Sequence, residues 1–265
     1  MDKIEIIKKY QNEEEKILIS KILDKIEQSK KRKSYGITDF LDPYQKELGQ
    51  KLLIIQKVTN YMFSGGYMKS ERNLLVLYPD YIEKDNIDLN EFFDVIKIKV
   101  PNEDIDKYTH RNYLGMLMKL GVKREKIGDI IVNSDGADII VLKEISDYLK
   151  VNLNEFNRLK SAKIEVVNLE TLEVPIVEFE LFDIIVSSLR LDVVVAGVLH
   201  ISRTKANDII TEERVSVNWQ KENINSKQIK LGDMLSIRGN GRFEVLEIVG
   251  NTKKGRIILK INKKK

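Results

Sequence analysis

Residues 188–210, SLRLDVVVAGVLHISRTKANDII, contain one short helical pattern at 188–198 and most of a second, at 202–212. Ser202 is a typical N-cap residue, and Arg203 and Lys205 follow it directly. A helix N-terminus carries a partial positive charge of about half a unit, so cations there are locally unfavourable. Two interpretations are open: the cations extend into water, or they and the helix N–H groups bind an anion such as an RNA phosphate.

Further cations surround this stretch. Arg190 stands at the start of the first helical pattern, and Asp192 either compensates the helix dipole or orients a nearby arginine. Downstream, KLGDMLSIRGNGRF at 230–243 holds two arginines about a glycine-rich turn. We expect these groups to converge on one RNA-binding face. The predicted RNA-binding residues are Arg190, Ser202, Arg203, Lys205, Arg238 and Arg242.

Charge is distributed unevenly along the 265 residues. Residues 183–265 contain 16 basic and 9 acidic residues, a net charge of +7, whereas residues 1–182 contain 29 and 32, a net charge of −3. This asymmetry predicts a polyanion-binding module carried by a larger scaffold. The terminal INKKK is interpreted as a solvated tail.

Several classes of protein do not fit the sequence. The absence of cysteine excludes disulfide scaffolds and thiol catalysis. The first residues lack a secretory signal, and the longest apolar run, VVVAGVLHI, has nine residues against the ~20 that span a bilayer. We therefore expect a cytoplasmic protein without a membrane span. His110 and His200 fall in different predicted domains, so we predict no metal, cofactor or catalytic site.

Residues 1–72 have mainly helical patterns. EEEKILISKILDKIEQ at 13–28 is typical of an amphipathic helix, and a second helix is expected after Thr38 or Asp42, with Pro43 in its first turn. The basic run at 30–33 is either the exposed end of the first helix or an RNA contact. We predict an N-terminal helical domain over 1–72.

Residues 73–182 alternate between strand and helix patterns. After a first strand in NLLVLYP, the order strand, helix, hairpin, helix, strand predicts a ferredoxin-like sandwich, the layout of RNA-recognition motifs. GDIIVN and ADIIVL, taken as its central strands, carry no aromatic residue on which bases could stack. We therefore expect a docking or packing role for this domain. ETLEVPIVEFELFD, at 170–183, is expected to join it to the basic module, with an extended strand.

Residues 183–265 are expected to form two helices followed by β-strands. RLDVVVAGVLHISRTKANDIITEERVSVNWQ, followed by IKLGDMLSIRG, resembles the S-four domain, a small RNA-binding domain first seen in ribosomal protein four of the small subunit. The shared pattern is R-L-D, S-R-x-x-A, V-x-V-N and a later G-D turn. Trp219 departs from it, where the family usually has glycine, and so does the Met-Leu-Ser that follows Asp233.

The whole chain resembles the YlmH family of bacterial RNA-binding proteins, on HRNYLGMLMKLGVKREKIGDI in the middle and RGNGRF near the end. The resemblance implies an α+β protein with an N-terminal helical region, a central RNA-recognition-motif-like fold and a C-terminal S-four domain. It further implies binding to rRNA and tRNA on the ribosomal large subunit, rescue of stalled large subunits, a nascent-chain tailing factor as partner, and a link to cell division. Oligomeric state stays open.

The sequence predicts a non-enzymatic RNA-binding protein, and two other functions remain as alternatives to it. RLDVVVAG partly matches the pseudouridine-synthase motif R-L-D-x-x-T-S-G, in which the aspartate is the nucleophile. Val195 and Ala196 replace its Thr and Ser, and 73 residues follow Asp192, too few for that catalytic domain. The other alternative is an adaptor protein in cell division, whose partners would stay bound after nuclease treatment.

Overall fold

The computed structural model describes residues 2–101, 108–174 and 179–264. Its contacts divide the chain into two units, Met1–Pro175 and Ile176–Lys265. Both units combine helices with antiparallel sheets, which confirms the predicted α+β class.

The first unit begins with three helices, α1 (Lys3–Ile7), α2 (Glu13–Arg32) and α3 (Pro43–Ile55). The ends of α2 suit the helix dipole, because three glutamates occupy its first turn and the basic run at 30–33 ends it. Asp42 caps α3 in a capping box with Gln45, and Pro43 is the first helical residue, as predicted.

A small sheet accompanies these helices. It consists of β1 (Gly36–Ile37), β2 (Tyr61–Ser64) and β3 (Leu74–Leu77), in the order β1-β3-β2. The sequence predicted a helical region up to residue 72 and grouped 74–77 with the central fold, but backbone pairing joins β3 to β1 and β2. β1 and β2 have two and four residues, too short to show a period, so no partners in the N-terminal region could be predicted for the strand β3.

A ferredoxin-like fold follows in the same unit, as predicted. Its elements are β4 (Phe93–Lys99), α4 (His110–Lys119), β5 (Ile127–Asn133), β6 (Gly136–Leu142), α5 (Lys143–Asn152) and β7 (Lys163–Val167). The antiparallel sheet has the order β5-β6-β4-β7. The central strands are therefore β6 and β4, and the expectation that GDIIVN is central was wrong, because β4 inserts beside β6 and leaves β5 at the edge.

The two faces of this central sheet pack against different partners. On one face, Ile96 and Ile139 contact Leu117 of α4 and Leu149 of α5 in a continuous apolar core. On the other face, the side chains of β4 and β6 join residues of the N-terminal region in a second core. Its fully buried members include Phe40, Leu74, Val76, Phe93 and Ile140. The face on which RNA-recognition motifs stack bases is thus occupied by protein.

The second unit pairs two helices with a six-stranded sheet. Its elements are β8 (Phe179–Val186), α6 (Leu191–Leu199), α7 (Arg203–Thr211), β9 (Val215–Val217), β10 (Gln220–Lys221), β11 (Met234–Ile237), β12 (Gly241–Asn251) and β13 (Ile257–Lys264). The sheet order is β10-β9-β11-β12-β13-β8. Both predicted helices are confirmed, and β8 contains the strand expected at the end of the linker, whose residues 175–178 lie outside the described ranges.

Residues 261–264 of the C-terminal INKKK form part of a strand, contrary to the interpretation of this segment as a solvated tail. Residues 261–264 complete β13, where they pair with β8 on one side and with β12 on the other. Asn262 is buried in this ladder. Lysine-rich ends of strands lack the apolar alternation that marks a strand in sequence, so non-local pairing decides their structure.

Phe40 offers a test of the contact between the N-terminal region and the central sheet. Its ring stacks on that of Phe93 at 5.5 Å between centroids, and its side chain is 1% exposed. We expect Phe40→Ala to lower the free energy of unfolding by about 3–5 kcal/mol, because it leaves a cavity between the two layers. Urea denaturation measures this loss. Ile54→Ala, at an exposed position of α3, is the control and should change stability by less than about 0.5 kcal/mol; equal losses in both variants would contradict the packing.

Candidate RNA interface

The carboxylate of Asp192 lies between two arginines, Arg190, two residues before it in the sequence, and Arg203, eleven residues after it. Arg190 donates from Nε to Oδ1 and from Nη2 to Oδ2, both at 3.1 Å. Arg203 donates to Oδ2 from Nε at 2.8 Å, with its Nη2 at 2.7 Å from the same oxygen. The Asp192 side chain is 1% exposed, whereas those of Arg190 and Arg203 are 36% and 56% exposed. A buried anion therefore holds two cations at the surface.

Local structure explains how these residues meet. Arg190 is the N-cap residue of α6, and Arg203 is the first residue of α7, so both helix starts face Asp192. His200 ends α6 in the left-handed conformation, and the Ile201 N–H then bonds the carbonyl of residue 196 as the chain reverses. Ala206 is fully buried against α6, so a small side chain lets the two helices approach.

The charge state of Asp192 follows from two opposing effects. Burial disfavours the ionised carboxyl and would raise its pKa, but hydrogen bonds and charge from Arg190 and Arg203 outweigh burial, so the pKa of Asp192 lies below its usual range. The hydrogen bond to Asp192 in turn raises the pKa of Arg190. The three groups therefore stay charged at neutral pH and together carry one net positive charge.

Ser202 and Lys205 occupy the start of α7 as the sequence predicted. The Ser202 hydroxyl accepts a hydrogen bond from the Lys205 backbone N–H at 3.3 Å, which makes Ser202 the N-cap. The Lys205 ammonium is exposed and bonds no residue in the described ranges. Of the two cations that open α7, Arg203 is thus compensated by Asp192, and Lys205 has no carboxylate partner among the described residues.

Arg238 and Arg242 lie at the other end of α7. The Arg238 N–H bonds the carbonyl of Arg214 at 2.9 Å, and the Arg214 N–H bonds that of Ile209 near the end of the helix, at 3.1 Å. A nine-residue helix is about 13 Å long, so this turn and Arg203 are separated by roughly that distance.

The predicted RNA-binding residues therefore fall into two groups. The first lies at the helix starts and consists of Arg190, Ser202, Arg203 and Lys205. Arg238 and Arg242 form a second, to which the structure adds Arg214, a residue that sequence reasoning missed.

Hydrogen bonds connect two further parts of the S-four pattern, the asparagine of V-x-V-N and the G-D turn. Asn218 donates from Nδ2 to Asp233 Oδ1 at 2.8 Å and accepts at Oδ1 from the Met234 N–H at 2.9 Å. The V-x-V-N strand and the G-D turn are thereby joined. Trp219 follows Asn218 with φ of 66°, a left-handed conformation that explains why the family favours glycine there.

Comparisons with known proteins match the three regions in order. The family model for the YlmH N-terminal domain matches residues 14–82, that for an RNA-binding domain in YlmH matches 90–173, and that for the S4 domain matches 189–235. The ribosome-associated protein quality control protein P2 of Bacillus subtilis (strain 168) is 36% identical over 225 residues, which cover 82% of this chain and 83% of that protein. The chain belongs to the YlmH family.

A solved structure has a weaker similarity to this YlmH-family chain. The cell division protein ylmH from Streptococcus pneumoniae has 21% identity and a TM-score of 0.49, and the alignment covers 62% of this chain and 98% of that one. Within the described residues, no helix is long and apolar enough to cross a membrane. In the same residues, no three side chains of His, Asp or Glu are grouped as a metal site would require.

Asp192→Asn tests whether the buried carboxylate holds the arginines. The pKa of Asp192 is depressed in the folded state, so its ionisation stabilises the fold above the unfolded pKa of about 3.9, and this contribution is lost as pH falls toward the folded pKa. We expect Asp192→Asn to lower the free energy of unfolding by about 1–3 kcal/mol at pH 7.

The pH dependence separates this effect from a general loss of packing. Urea unfolding of the wild type should weaken more steeply between about pH 5 and pH 2 than that of Asp192→Asn, whose amide does not titrate. Asp208→Asn, at an exposed position of α7, is the control and should keep the wild-type slope. Equal slopes in wild type and Asp192→Asn would contradict the arrangement.

Proposed function

We propose that this YlmH-family protein binds structured RNA through its S-four domain and acts by binding, without catalysis. The observation that carries the proposal is the pair Arg190 and Arg203, which a buried carboxylate fixes at the surface beside the start of α7. Each guanidinium uses one edge on Asp192 and retains further N–H donors. Those donors are available for phosphate oxygens.

The pairing with Asp192 favours RNA binding because it fixes the arginines in advance. A free arginine loses side-chain conformational freedom when it binds a phosphate, whereas one already held by a carboxylate loses less. Lys205 adds a mobile point charge, and the Ser202 cap leaves other N–H groups of the first turn of α7 open to an anion. Arg238 and Arg242 extend the surface along α7, which suits a regular row of phosphates in an RNA helix.

We assign this protein to ribosome-associated quality control in the cytoplasm, with rRNA and tRNA on the large subunit as its ligands. Support comes from the Bacillus subtilis relative, whose name is ribosome-associated protein quality control protein P2, and from the two RNA-binding family models that match the chain. A nascent-chain tailing factor is the protein partner that this role requires.

The position of Asp192 also favours binding over the pseudouridine-synthase alternative. Both of its oxygens already accept hydrogen bonds, from the two arginines and from the Val193 N–H at 3.0 Å. Its 1% exposure leaves little surface for a uridine ring to approach. Asp192 is thus placed to position the arginines.

Arg203→Ala tests the S-four interface directly. Binding to a labelled RNA hairpin, followed by fluorescence anisotropy, should weaken by about 1–3 kcal/mol, and the slope of log affinity against log salt should flatten by about one contact. Arg256→Ala removes an exposed cation from the β12–β13 turn in the same unit and is the matched control. Wild-type affinity and slope in Arg203→Ala, with the fold intact, would overturn the proposed site.

Co-sedimentation tests the ribosomal assignment. On a sucrose gradient of cell lysate, we expect the protein to travel with large subunits at low salt and to move to the top after nuclease treatment or at high salt, because phosphate contacts are screened. An adaptor held by protein partners would keep its position after nuclease treatment. Protein at the top of the gradient under all conditions would contradict the assignment.

A further inference from the structure

A groove of about 470 Å³ lies on the helical side of the central fold. Arg111, Gly115 and Lys119 line it from α4, and Phe156 and Arg158 line it from the turns that follow α5. The spacing of four residues places the three α4 positions on one face of that helix. The groove therefore runs along α4, on the opposite side of the sheet from the N-terminal region.

Charge is locally segregated in this groove. Residues 108–174 contain ten basic and ten acidic residues, so this part of the chain is neutral as a whole. The lining nevertheless includes Arg111, Lys119 and Arg158, and among the residues that the structure describes it includes no carboxylate. In the described part of the chain, none of these three cations is ion-paired. They therefore form a surface to which an anion is attracted.

Gly115 keeps the groove open. A Cβ atom at this position would meet nothing within 4 Å, so packing does not require a glycine there. Glycine inside a helix is less favourable than alanine. At a position where a larger side chain would fit, the glycine instead leaves room for a ligand to approach the helix backbone.

Phe156 and Arg158 supply the second wall. Phe156 is half-buried against the helical core and still lines the groove. The Tyr108 hydroxyl donates to the Arg158 carbonyl at 2.7 Å, which fixes the turn that carries both side chains. An aromatic ring beside unpaired arginines is the combination that binds single-stranded nucleic acid, by stacking on bases and by contact with phosphates.

We infer that this groove binds a single-stranded segment of RNA. The inference deepens the proposed function and rests on it, because it adds a second RNA surface to the protein that the S-four domain anchors. The sheet face is closed by the Phe40 and Phe93 core, so an RNA cannot stack on the sheet as it does in RNA-recognition motifs, and the groove on α4 offers cations and an aromatic ring instead. Phosphates lie at Arg111, Lys119 and Arg158, and a base stacks on Phe156.

Two labelled RNAs separate this groove from the S-four interface in the full-length protein. The first is an oligouridine of about twelve nucleotides, a length within the range of single-strand sites, and the second is a blunt RNA hairpin. We expect Gly115→Glu to weaken oligouridine binding about ten-fold, because it places bulk and negative charge in the groove, and to leave hairpin binding unchanged. Arg203→Ala should have the opposite pattern.

Gly115→Ala adds a methyl group without charge at the same position. It should raise the melting temperature and weaken oligouridine binding less than Gly115→Glu does, with hairpin binding unchanged. Arg158→Ala provides a second variant outside the helix and should weaken oligouridine binding alone. The exposed Lys84→Ala, outside the groove, should change neither affinity. Circular dichroism confirms that every variant is folded.

The possible outcomes are distinct. Wild-type oligouridine binding in both Gly115→Glu and Arg158→Ala overturns the inference. So does a labelled acidic peptide that binds more tightly than oligouridine and is lost in Gly115→Glu, since the groove would then hold protein. Failure of the proposed function has a different signature: the wild type does not bind the hairpin, whatever the result with oligouridine.

Discussion

The buried carboxylate of Asp192 is the constraint on which the C-terminal unit depends. An ionised carboxyl in an apolar interior costs several kcal/mol unless charged donors surround it. Here the donors are Arg190 at the start of α6 and Arg203 at the start of α7, so one anion ties the two helix starts together. The same contact places two guanidinium groups side by side at the surface. The fold and the cationic surface are therefore stabilised by one interaction.

This interaction also resolves the unusual charge pattern at the start of α7. A cation beside a helix N-terminus is unfavourable in isolation, and the sequence offered water, a bound phosphate or a charge-assisted pair with Asp192 as ways to compensate it. The structure shows that Asp192 compensates Arg203 before any ligand binds. Lys205 is the residue for which the original conflict remains, so a bound phosphate would relieve repulsion chiefly there.

The sequence patterns correctly predicted those parts of the fold that depend on neighbouring residues along the chain. Helix caps at Asp42 and Ser202, the helices they begin and the order of the ferredoxin-like elements follow from local chemistry. The pairing of strands that are distant in the sequence could not be predicted. β3 joins the first sheet, β4 lies beside β6, and Lys263 and Lys264 belong to β13. For the same reason, sequence could name Arg238 and Arg242 as cations but could not place them at the far end of α7, beside Arg214.

The two units use charge in different ways. The S-four domain has a net charge of +7 over 183–265, so its field attracts RNA over the whole surface and falls with salt. Residues 1–182 have a net charge of −3, which disfavours RNA except where cations are locally separated from carboxylates. The α4 groove is such a place, and burial of the sheet's other face leaves α4 as the exposed side of that domain. A weakly attractive groove of this kind adds little affinity alone, so in the function proposed here the S-four domain supplies most of the attraction for RNA.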